Sequence, residues 1–396
     1  MSKRRCSVLS VILTAAMLLA ACAPAATSTV ATDVPALPTT VPTVPAANPT
    51  TVPAASTATP LPAPAQPDDA SIKVGLVTNT GGVNDHAFNQ LAWEGIQQAA
   101  QEMGFQTKFV ESQQPSDYEN QIDTLATEGY TVIITVGSTM ADATARKARQ
   151  YPMVQFAIVD HAYMPTSGPY CADTVTDCYV DGGLTNVTSL MFAEGQVSFL
   201  AGVLAGGMSR SGFVCSVSSV PPPASNGYVI NFRAGAVWQG GENMRGMNNY
   251  INVQSSNANI PTFADSTEGK ETAQGLIDNG CDVVFGVAAD GALLAASENN
   301  LMAIGADVDL YDTDPAVQPA LLSTAMKHVD VAVYNYLKSV IDGSVTAGIR
   351  MGTLQNGGVG LAPFHDWNSR IPAELKSDIQ QAGAGIVEGT ITIELP

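Results

Sequence analysis

From residue 71 to its end, the chain alternates short runs of apolar and β-branched residues with longer segments whose apolar residues recur every three or four positions. The short runs predict strands at residues 72–79, 107–112, 131–137, 153–159, 186–191, 212–219, 250–254, 282–288 and 302–306. The longer segments predict helices, among them 84–103, 139–149, 193–208 and 267–279. This alternation, with strands that are apolar throughout, predicts parallel sheets covered by helices on both faces.

About eight such strand–helix units exceed what one sheet comfortably holds, so we expect an α/β fold with two doubly wound parallel-sheet lobes. The last part of the chain departs from simple alternation. Residues 320–343 predict the end of a strand and an amphipathic helix, 349–362 are glycine-rich and extended, and 372–395 predict a last helix and strand. A chain that finishes one lobe, returns to the other and crosses again would produce this order.

Such crossings would form a hinge, and ligands of doubly wound lobes bind beyond the carboxyl ends of the strands. We therefore expect a ligand between the lobes. The expected N-terminal lobe comprises residues 71–192 with 323–355, and the expected C-terminal lobe comprises 193–322 with 356–396.

The N-terminus predicts export. Residues 1–21 have a basic start, an apolar run and small residues at the end, which is typical of a secretory signal peptide. The sequence "LAAC" at 19–22 resembles a bacterial lipobox, in which the cysteine, here Cys22, becomes the lipidated first residue. An ordinary signal cut at a nearby A-x-A-like site is the alternative. The position of Cys22 at the end of the apolar run favours the lipoprotein.

The next segment predicts a tether. Residues 23–68 are almost wholly Pro, Thr, Ala, Ser and Val, with Asp33 and Asp68 as their only charges. A segment of this kind buries too little apolar surface to offset its ordering entropy, so we expect residues 22–70 to be extended and disordered. Next to a lipidated cysteine, it would hold the folded body away from the extracytoplasmic face of the cell membrane. The alternative is a disordered tail without that role.

The charge balance excludes one class of partner. The chain has 17 basic and 36 acidic residues, a formal net charge of −19, and loss of the basic signal peptide makes it more acidic still. A nucleic acid is therefore not expected to bind through a basic face. Because no later stretch reaches the length of a membrane span, we expect contact with the membrane through the lipid anchor only.

The cysteines also agree with export. After removal of the signal peptide and lipidation of Cys22, four cysteines remain: Cys171, Cys178, Cys215 and Cys281. Four cysteines allow three pairings. We favour Cys171 with Cys178, which flank the polar loop "CADTVTDC", and hence Cys215 with Cys281. The spacing does not fit a zinc site, so we expect no metal.

The segment 81–93, "GGVNDHAFNQLAW", follows the first predicted strand and contains the first candidate ligand-binding residues. Asn84 or Asp85 can cap the helix that begins there. Phe88 lies in its first turn, at the carboxyl edge of the strand, where a ring can face a cleft; the alternative is a core position in the apolar stripe of the helix. Asn89 has an amide that donates and accepts hydrogen bonds, which suits the edge of a heterocyclic base. Together they indicate a planar ligand.

The longer stretch "KVGLVTNTGGVNDHAFNQLAWEGIQQA" resembles the opening signature of the basic membrane protein (BMP) family of lipoproteins, which includes purine nucleoside receptors that serve ABC transporters. The resemblance continues in order almost to residue 396. Its further segments are "VGSTMADATARKA" (136–148), "FAIVD" (156–160), "EGQVSFLAGVLAG" (194–206), "GADVDLYD" (305–312), "STAMKHVD" (323–330) and "NGGVGLA" (356–362).

The resemblance implies a type I periplasmic-binding-protein fold that holds a purine nucleoside between its lobes and delivers it to an ABC permease. Phe88 and Asn89 match the family's Phe-Asn pair, which stacks on and hydrogen-bonds the base, and Asp85 matches the acid that precedes them. Asp160 matches a cleft aspartate, and Asp307 matches the acid expected to hold the ribose hydroxyls.

Three further positions complete the expected site. Lys327 matches a position of the family signature and could bridge to Asp307 or to the sugar. Phe232 and Trp238 are the candidates for a second aromatic that closes a sandwich around the base. Asp290 stands where the family has a Gly-Thr-Gly-like turn.

Some residues depart from the family pattern. Ala87 replaces a small hydroxyl residue before Phe88, residues 232–241 align loosely, and the loop 162–185 resembles an insertion. Because of these departures, the sequence does not determine which base is preferred, and two alternatives to a nucleoside receptor stay open. One is another planar or sugar-like solute, such as a flavin or a pentose, bound by the same fold. The other is a surface sensor or adhesin without transport.

The residues do not favour an enzyme. The four histidines, His86, His161, His328 and His365, lack the spacing of a metal site. The sequence contains no G-x-S-x-G nucleophile pattern, and the glycine loop at 81–82 lacks the Lys-Ser/Thr ending of a phosphate-binding loop. We expect neither catalysis nor a cofactor.

Overall fold

The computed structural model of the protein describes residues 72–165, 170–171, 174–220, 225–250 and 266–394. The expected signal peptide, Cys22 and the tether lie outside these ranges. The described residues form two six-stranded sheets with helices packed on them. This confirms the predicted α/β fold with two doubly wound lobes.

The first sheet is entirely parallel, with strand order β11-β5-β4-β3-β1-β2. Its strands are β1 (Lys73–Val77), β2 (Gln106–Val110), β3 (Val132–Val136), β4 (Gln155–Val159), β5 (Val187–Phe192) and β11 (Gly348–Gly352). The helices associated with it are α1 (Phe88–Met103), α2 (Tyr118–Thr127), α3 (Ala141–Gln150) and α8 (Val329–Ile341).

Alternate residues of these strands pack on opposite faces, as the pleat of a strand requires. In β3, Ile134 belongs to the core that contains Ile96 of α1, whereas the adjacent Ile133 packs in a second core with Ile122 and Leu125 of α2. Both faces are therefore covered, and β3 is apolar except for Thr135, whose buried hydroxyl hydrogen-bonds to Thr144.

The second sheet has strand order β12-β10-β9-β8-β6-β7, with only β12 antiparallel. Its strands are β6 (Phe213–Ser218), β7 (Arg245–Tyr250), β8 (Val283–Val287), β9 (Met302–Asp307), β10 (Leu321–Lys327) and β12 (Val359–Leu361). Its helices are α4 (Glu194–Met208), α5 (Asn226–Gly240), α6 (Ser266–Asp278), α7 (Asp290–Glu298) and α9 (Ala373–Val387). The described ranges also contain three short 3-10 turns: Pro115–Asp117, Ser138–Met140 and His365–Trp367.

The two sheets repeat one topology. Strands β1 to β5 occupy the same places in the first sheet as β6 to β10 in the second. A residue at the end of one strand therefore has a topological counterpart in the other lobe, and the site below depends on such pairs.

The chain passes between the sheets three times: after β5, after β10 and between β11 and β12. We expected the return to the first lobe to begin at residue 323. The structure instead pairs Leu321–Lys327 with β9 and β12 of the second sheet, so that return follows Lys327. The helix after it, α8, packs on α1.

Other differences concern element bounds. Strand β7 ends at Tyr250 where we predicted 250–254, and 251–254 lie outside the described residues. The expected last strand is not formed by residues 388–394, which follow the end of α9 without regular structure. Helix α5 was not predicted, because it is apolar on most sides.

Helix α5 is apolar because it packs backbone to backbone on α4. A Cβ atom added at Gly202 of α4 would lie 2.0 Å from the carbonyl oxygen of Phe232, and one at Gly235 would lie 2.0 Å from that of Phe199. Only glycine permits this approach. Neither helix of the pair has a pronounced polar stripe, and only α4 was predicted from the sequence, at 193–208.

The structure contains both favoured disulfides: Cys171–Cys178 in the loop after β4, and Cys215–Cys281, which joins β6 to the residues just before β8. In the part of the chain that the structure describes, no helix is both long and apolar enough to cross a membrane.

Candidate ligand-binding site

Two aspartates occupy corresponding positions at the ends of the two sheets. Asp160 follows β4, and Asp307 is the last residue of its counterpart β9. Both have left-handed backbone conformations, with φ of 57° and 76°. Such conformations cost a residue other than glycine on the order of 1 kcal/mol, and they cluster at functional sites. Their side chains are 25% and 29% exposed, so both carboxylates remain open to a ligand.

Lys327, the last residue of β10, lies between these aspartates. Its Nζ atom is 3.0 Å from both carboxylate oxygens of Asp160, 2.5 Å from Oε1 of Glu194 and 3.5 Å from Oδ1 of Asp307. The lysine side chain is only 5% exposed. One buried cation therefore connects a strand of the second sheet to the end of β4 in the first.

The electrostatics of this cluster depend on burial and on mutual charge. Burial alone would lower the pKa of Lys327, but the surrounding acidic groups, Asp160 foremost, outweigh it and hold the pKa well above its ordinary value. Burial raises the pKa of Glu194, and the Lys327 ammonium offsets part of that rise. Lys327 is therefore charged at physiological pH, and acidic groups outnumber it three to one.

Aromatic rings surround the same ammonium. The ring centroids of Phe88 and Tyr228 each lie 5.5 Å from Lys327 Nζ, and that of Phe192 lies 5.9 Å away. These distances are within cation–π range. Phe88 is in the first turn of α1, after β1, and Tyr228 is in the first turn of α5, after the counterpart strand β6. Each lobe thus contributes one aromatic from the same topological position.

Tyr228 also completes the polar contacts of the cluster. Its hydroxyl donates a hydrogen bond of 2.5 Å to Oδ1 of Asp307. Burial, followed by the negative charge of Asp307, raises the pKa of Tyr228 well above its ordinary value, so the hydroxyl stays protonated. This contact fixes the Asp307 carboxylate while one of its oxygens remains available.

Asp85 and Asn89 were both expected to contact the ligand. Their side chains instead form hydrogen bonds within the loop between β1 and α1 and at the start of that helix. Asp85 accepts hydrogen bonds from the backbone N–H groups of Ala87, Asn89 and Gln90 and so caps α1. Asn89 is fully buried, and its amide donates at 2.8 Å to Asp85 and to Asn79. Both amide hydrogens are thereby satisfied, as a buried polar group requires. Our expectation that Asn89 reads a base edge disagrees with this geometry.

The two aromatic candidates of α5 also lie elsewhere. Phe232 is 1% exposed and stacks on Phe285 at 4.7 Å, in the core of the second lobe. Trp238, 44% exposed, lies near the end of α5 with its ring against Phe199. Tyr228 takes the position that we expected of one of them. Tyr228 shows the same sequence signal as Phe88, an aromatic residue in the first helical turn after a strand. That signal can be recognised only when the start of α5 is known.

Asp290 is adjacent to the cluster without joining it. It is an exposed residue at the start of α7, and no ion pair is formed by it in the described ranges. Local burial of the carboxyl group, then the charges of Asp314 and Asp307, raise its pKa. Glu194 and Phe192 were missed by the sequence analysis, although both stand at the carboxyl end of β5, where a ligand site is expected.

The carboxylates of the cluster are better placed to accept hydrogen bonds than to bind a metal ion. Among the described residues, no group of three His, Cys, Asp or Glu side chains is placed to hold a metal ion. The cluster instead offers partly exposed carboxylate oxygens beside aromatic rings, which can accept hydroxyl or amine hydrogens from a planar ligand.

The fold is that of ABC transporter solute-binding proteins. One solved structure of that class, from Aeropyrum pernix K1, superposes with a TM-score of 0.62 at 23% identity, covering 82% of this chain and 94% of the other. A family model described as Bmp, ABC transporter substrate-binding protein PnrA-like, matches residues 72–394. The chain belongs to this family. Its members are substrate-binding proteins, which confirms that the chain is not an enzyme, and they work with a membrane permease.

Curated relatives span most of the same length. A "CD4+ T-cell-stimulating antigen" of Listeria innocua is 30% identical and covers 82% of this chain and 90% of its own. An "ABC transporter nucleoside-binding protein BmpA" of Lactococcus lactis is 26% identical, over 81% and 89%. A lipoprotein of Pyrococcus horikoshii is also 26% identical, over 73% and 68%.

Proposed function

We propose that this substrate-binding protein binds a purine nucleoside between its two sheets. The observation that carries the proposal is the cluster around Lys327, in which carboxylates and aromatic rings from both lobes converge on one ammonium. The base would pack against Phe88 and Tyr228, and the ribose hydroxyls would donate to Asp160 and Asp307. The name of the Lactococcus lactis relative, a nucleoside-binding protein, supports the same class of ligand.

The charges of the cluster favour a nucleoside over a nucleotide. A carboxylate that accepts two sugar hydroxyls forms charge-assisted hydrogen bonds, which are stronger than neutral ones. Lys327 balances part of the acidic charge of the cluster. Because the three acids still outnumber it, a phosphate group placed here would be repelled.

Isothermal titration calorimetry with inosine, guanosine, adenosine and guanosine monophosphate tests this proposal. We expect at least one nucleoside to bind and the monophosphate to bind much more weakly. Asp307→Asn should weaken nucleoside binding by about tenfold or more, because it replaces a charge-assisted acceptor. Asp312→Asn, a change of the same charge at an exposed position of the following loop, is the control and should leave binding unchanged. Absence of heat with all three nucleosides would sink the proposal.

Native mass spectrometry of ligand that co-purifies with the protein distinguishes a nucleoside from a flavin or a pentose. A purine nucleoside mass supports the proposal. A flavin or pentose mass would assign the same site to another solute.

We also propose that Cys22 is lipidated and that the protein serves its permease from the extracytoplasmic face of the cell membrane. The "LAAC" sequence, the Pro/Thr-rich segment after it and the lipoprotein name of the Pyrococcus relative support this. In a bacterial host, the full-length protein should partition with membranes and incorporate labelled palmitate. Cys22→Ser should abolish both, and an unchanged distribution would contradict the anchor.

A further inference from the structure

A cavity of about 440 Å³ lies between α8 and the β5–β11 edge of the first sheet. It does not include any residue of the Lys327 cluster. Its lining residues are Leu190, Val331, Ala332, Asn335, Tyr336, Arg350, Met351, Gly352, Asn356 and Gly358. The volume is within the range of small-molecule sites.

Arg350 supplies the charge in this cavity. It is half-buried on β11, and its Nη1 atom donates a hydrogen bond of 2.8 Å to the hydroxyl of Ser339 on α8. This bond orients the guanidinium and leaves its other N–H groups for a ligand. Among the described residues, no carboxylate lies within ion-pair distance of Arg350, even though acidic residues outnumber basic ones in this chain by 36 to 17.

Tyr336 supplies a second polar group. The residue is 1% exposed, and in the described structure its hydroxyl has no hydrogen-bond partner. Burial raises the pKa of Tyr336, so the hydroxyl is protonated and can act as a donor. Buried polar groups are nearly always satisfied. A hydroxyl without a partner, near a guanidinium that has Ser339 but no carboxylate as a partner among the described residues, therefore indicates a missing acceptor.

Among the other lining residues, Asn335 and Asn356 are polar, and the rest are apolar or glycine. Leu190 is buried in β5, Val331 and Ala332 extend along α8, and the half-exposed Met351 follows Arg350 on β11. A ligand that fits must therefore combine one anionic acceptor with an apolar body. The guanidinium fork matches the planar geometry of a carboxylate.

We propose that this cavity is a second binding site, which takes a small carboxylate with an apolar body, such as a short aliphatic or aromatic acid. The carboxylate accepts from Arg350, with Tyr336 next to it, and the body packs on Leu190 and Val331. Gly352 and Gly358, at the two ends of the last passage between the sheets, form one wall. The cavity therefore adjoins a hinge strand and is separate from the proposed nucleoside site.

Benzoate and its neutral isostere benzamide provide the test, titrated into the protein with methyl-labelled Met and Val residues and followed by nuclear magnetic resonance. Benzoate should shift the methyl signals of Met351 and Val331 saturably, and benzamide should bind at least about tenfold more weakly. Arg350→Met should weaken benzoate by about tenfold or more. Lys338→Met, which removes a charge from the exposed side of the same helix, is the control.

Arg350→Lys keeps the positive charge but lacks the guanidinium fork, so its loss of benzoate affinity should be smaller than that of Arg350→Met. This graded loss distinguishes an effect on binding from a folding defect. Equal affinity of benzoate and benzamide, unchanged benzoate affinity in Arg350→Met, or the absence of saturable shifts would each overturn the proposal. The Asp307→Asn variant should bind benzoate normally. Loss of nucleoside binding in that variant therefore leaves this site, and its test, intact.

Discussion

The contact between Lys327 and Asp160 joins the two lobes, and its strength can be measured by a double-mutant cycle. The variants are Lys327→Met, Asp160→Asn and the two together. The ammonium is 3.0 Å from both oxygens of Asp160, with the lysine 5% and the aspartate 25% exposed.

At 3.0 Å and an effective dielectric constant of about 20, two unit charges attract by about 5.5 kcal/mol. Desolvation of the lysine and partial exposure of the aspartate reduce the net value. Neighbouring acids share the same ammonium, which reduces the pairwise part further. We expect a coupling free energy of about 2 kcal/mol, within the range for residues of one polar network.

Urea unfolding followed by circular dichroism provides the free energies, because urea does not screen charges as guanidinium chloride does. The control is the same cycle at Lys270 and Glu298, an ion pair of 2.6 Å whose side chains are 38% and 50% exposed. Exposed pairs of this kind contribute about 0.5 kcal/mol. A coupling at Lys327 and Asp160 no larger than that of the control would refute the assignment of a buried interlobe ion pair.

Three further predictions concern packing, charge and the ligand. Gly202→Ala should destabilise the protein by about 1–3 kcal/mol, because a Cβ there meets a carbonyl of the facing helix at 2.0 Å. Gly275→Ala, on a helix with open space around it, should stabilise it by about 0.5–1 kcal/mol; urea unfolding of both compares them, and equal effects would contradict the packing. The pKa of Glu194 should lie above its ordinary value and rise further in Lys327→Met, as carboxyl carbon resonances would report; a fall would refute the electrostatics. Since the folded pKa is raised, the contribution of this group to stability is present below its unfolded pKa and lost as the pH rises through its folded pKa. Tyr228→Phe should weaken nucleoside binding about tenfold, and Tyr228→Ala more, by calorimetry; unchanged affinity in both would remove Tyr228 from the site.

The architecture was predictable because the strands are buried on both faces. A run such as Val132–Val136 is buried at every position and apolar except at Thr135, and helices alternate with such runs. The parallel sheets and the two lobes therefore follow from the sequence pattern. The positions of Asp160, Asp307 and Lys327 at strand ends were likewise accessible, because parallel strands present their carboxyl ends at one edge.

The side-chain roles were less predictable. Whether Asn89 faces a cleft or satisfies its own loop depends on contacts with Asn79, ten residues earlier, which no periodicity encodes. Tyr228 was missed because α5 lies against the glycines of α4 and has no polar face that marks its start. Glu194 became recognisable only when the structure placed it 2.5 Å from Lys327, 133 residues further along the chain.

The most direct test of the account is a crystal structure of the protein grown with guanosine or inosine. The account predicts the base against the rings of Phe88 and Tyr228 and the ribose hydroxyls within about 3 Å of the Asp160 and Asp307 carboxylates. A nucleoside bound away from Lys327, or a site near Lys327 that stays empty at saturating nucleoside, would contradict it.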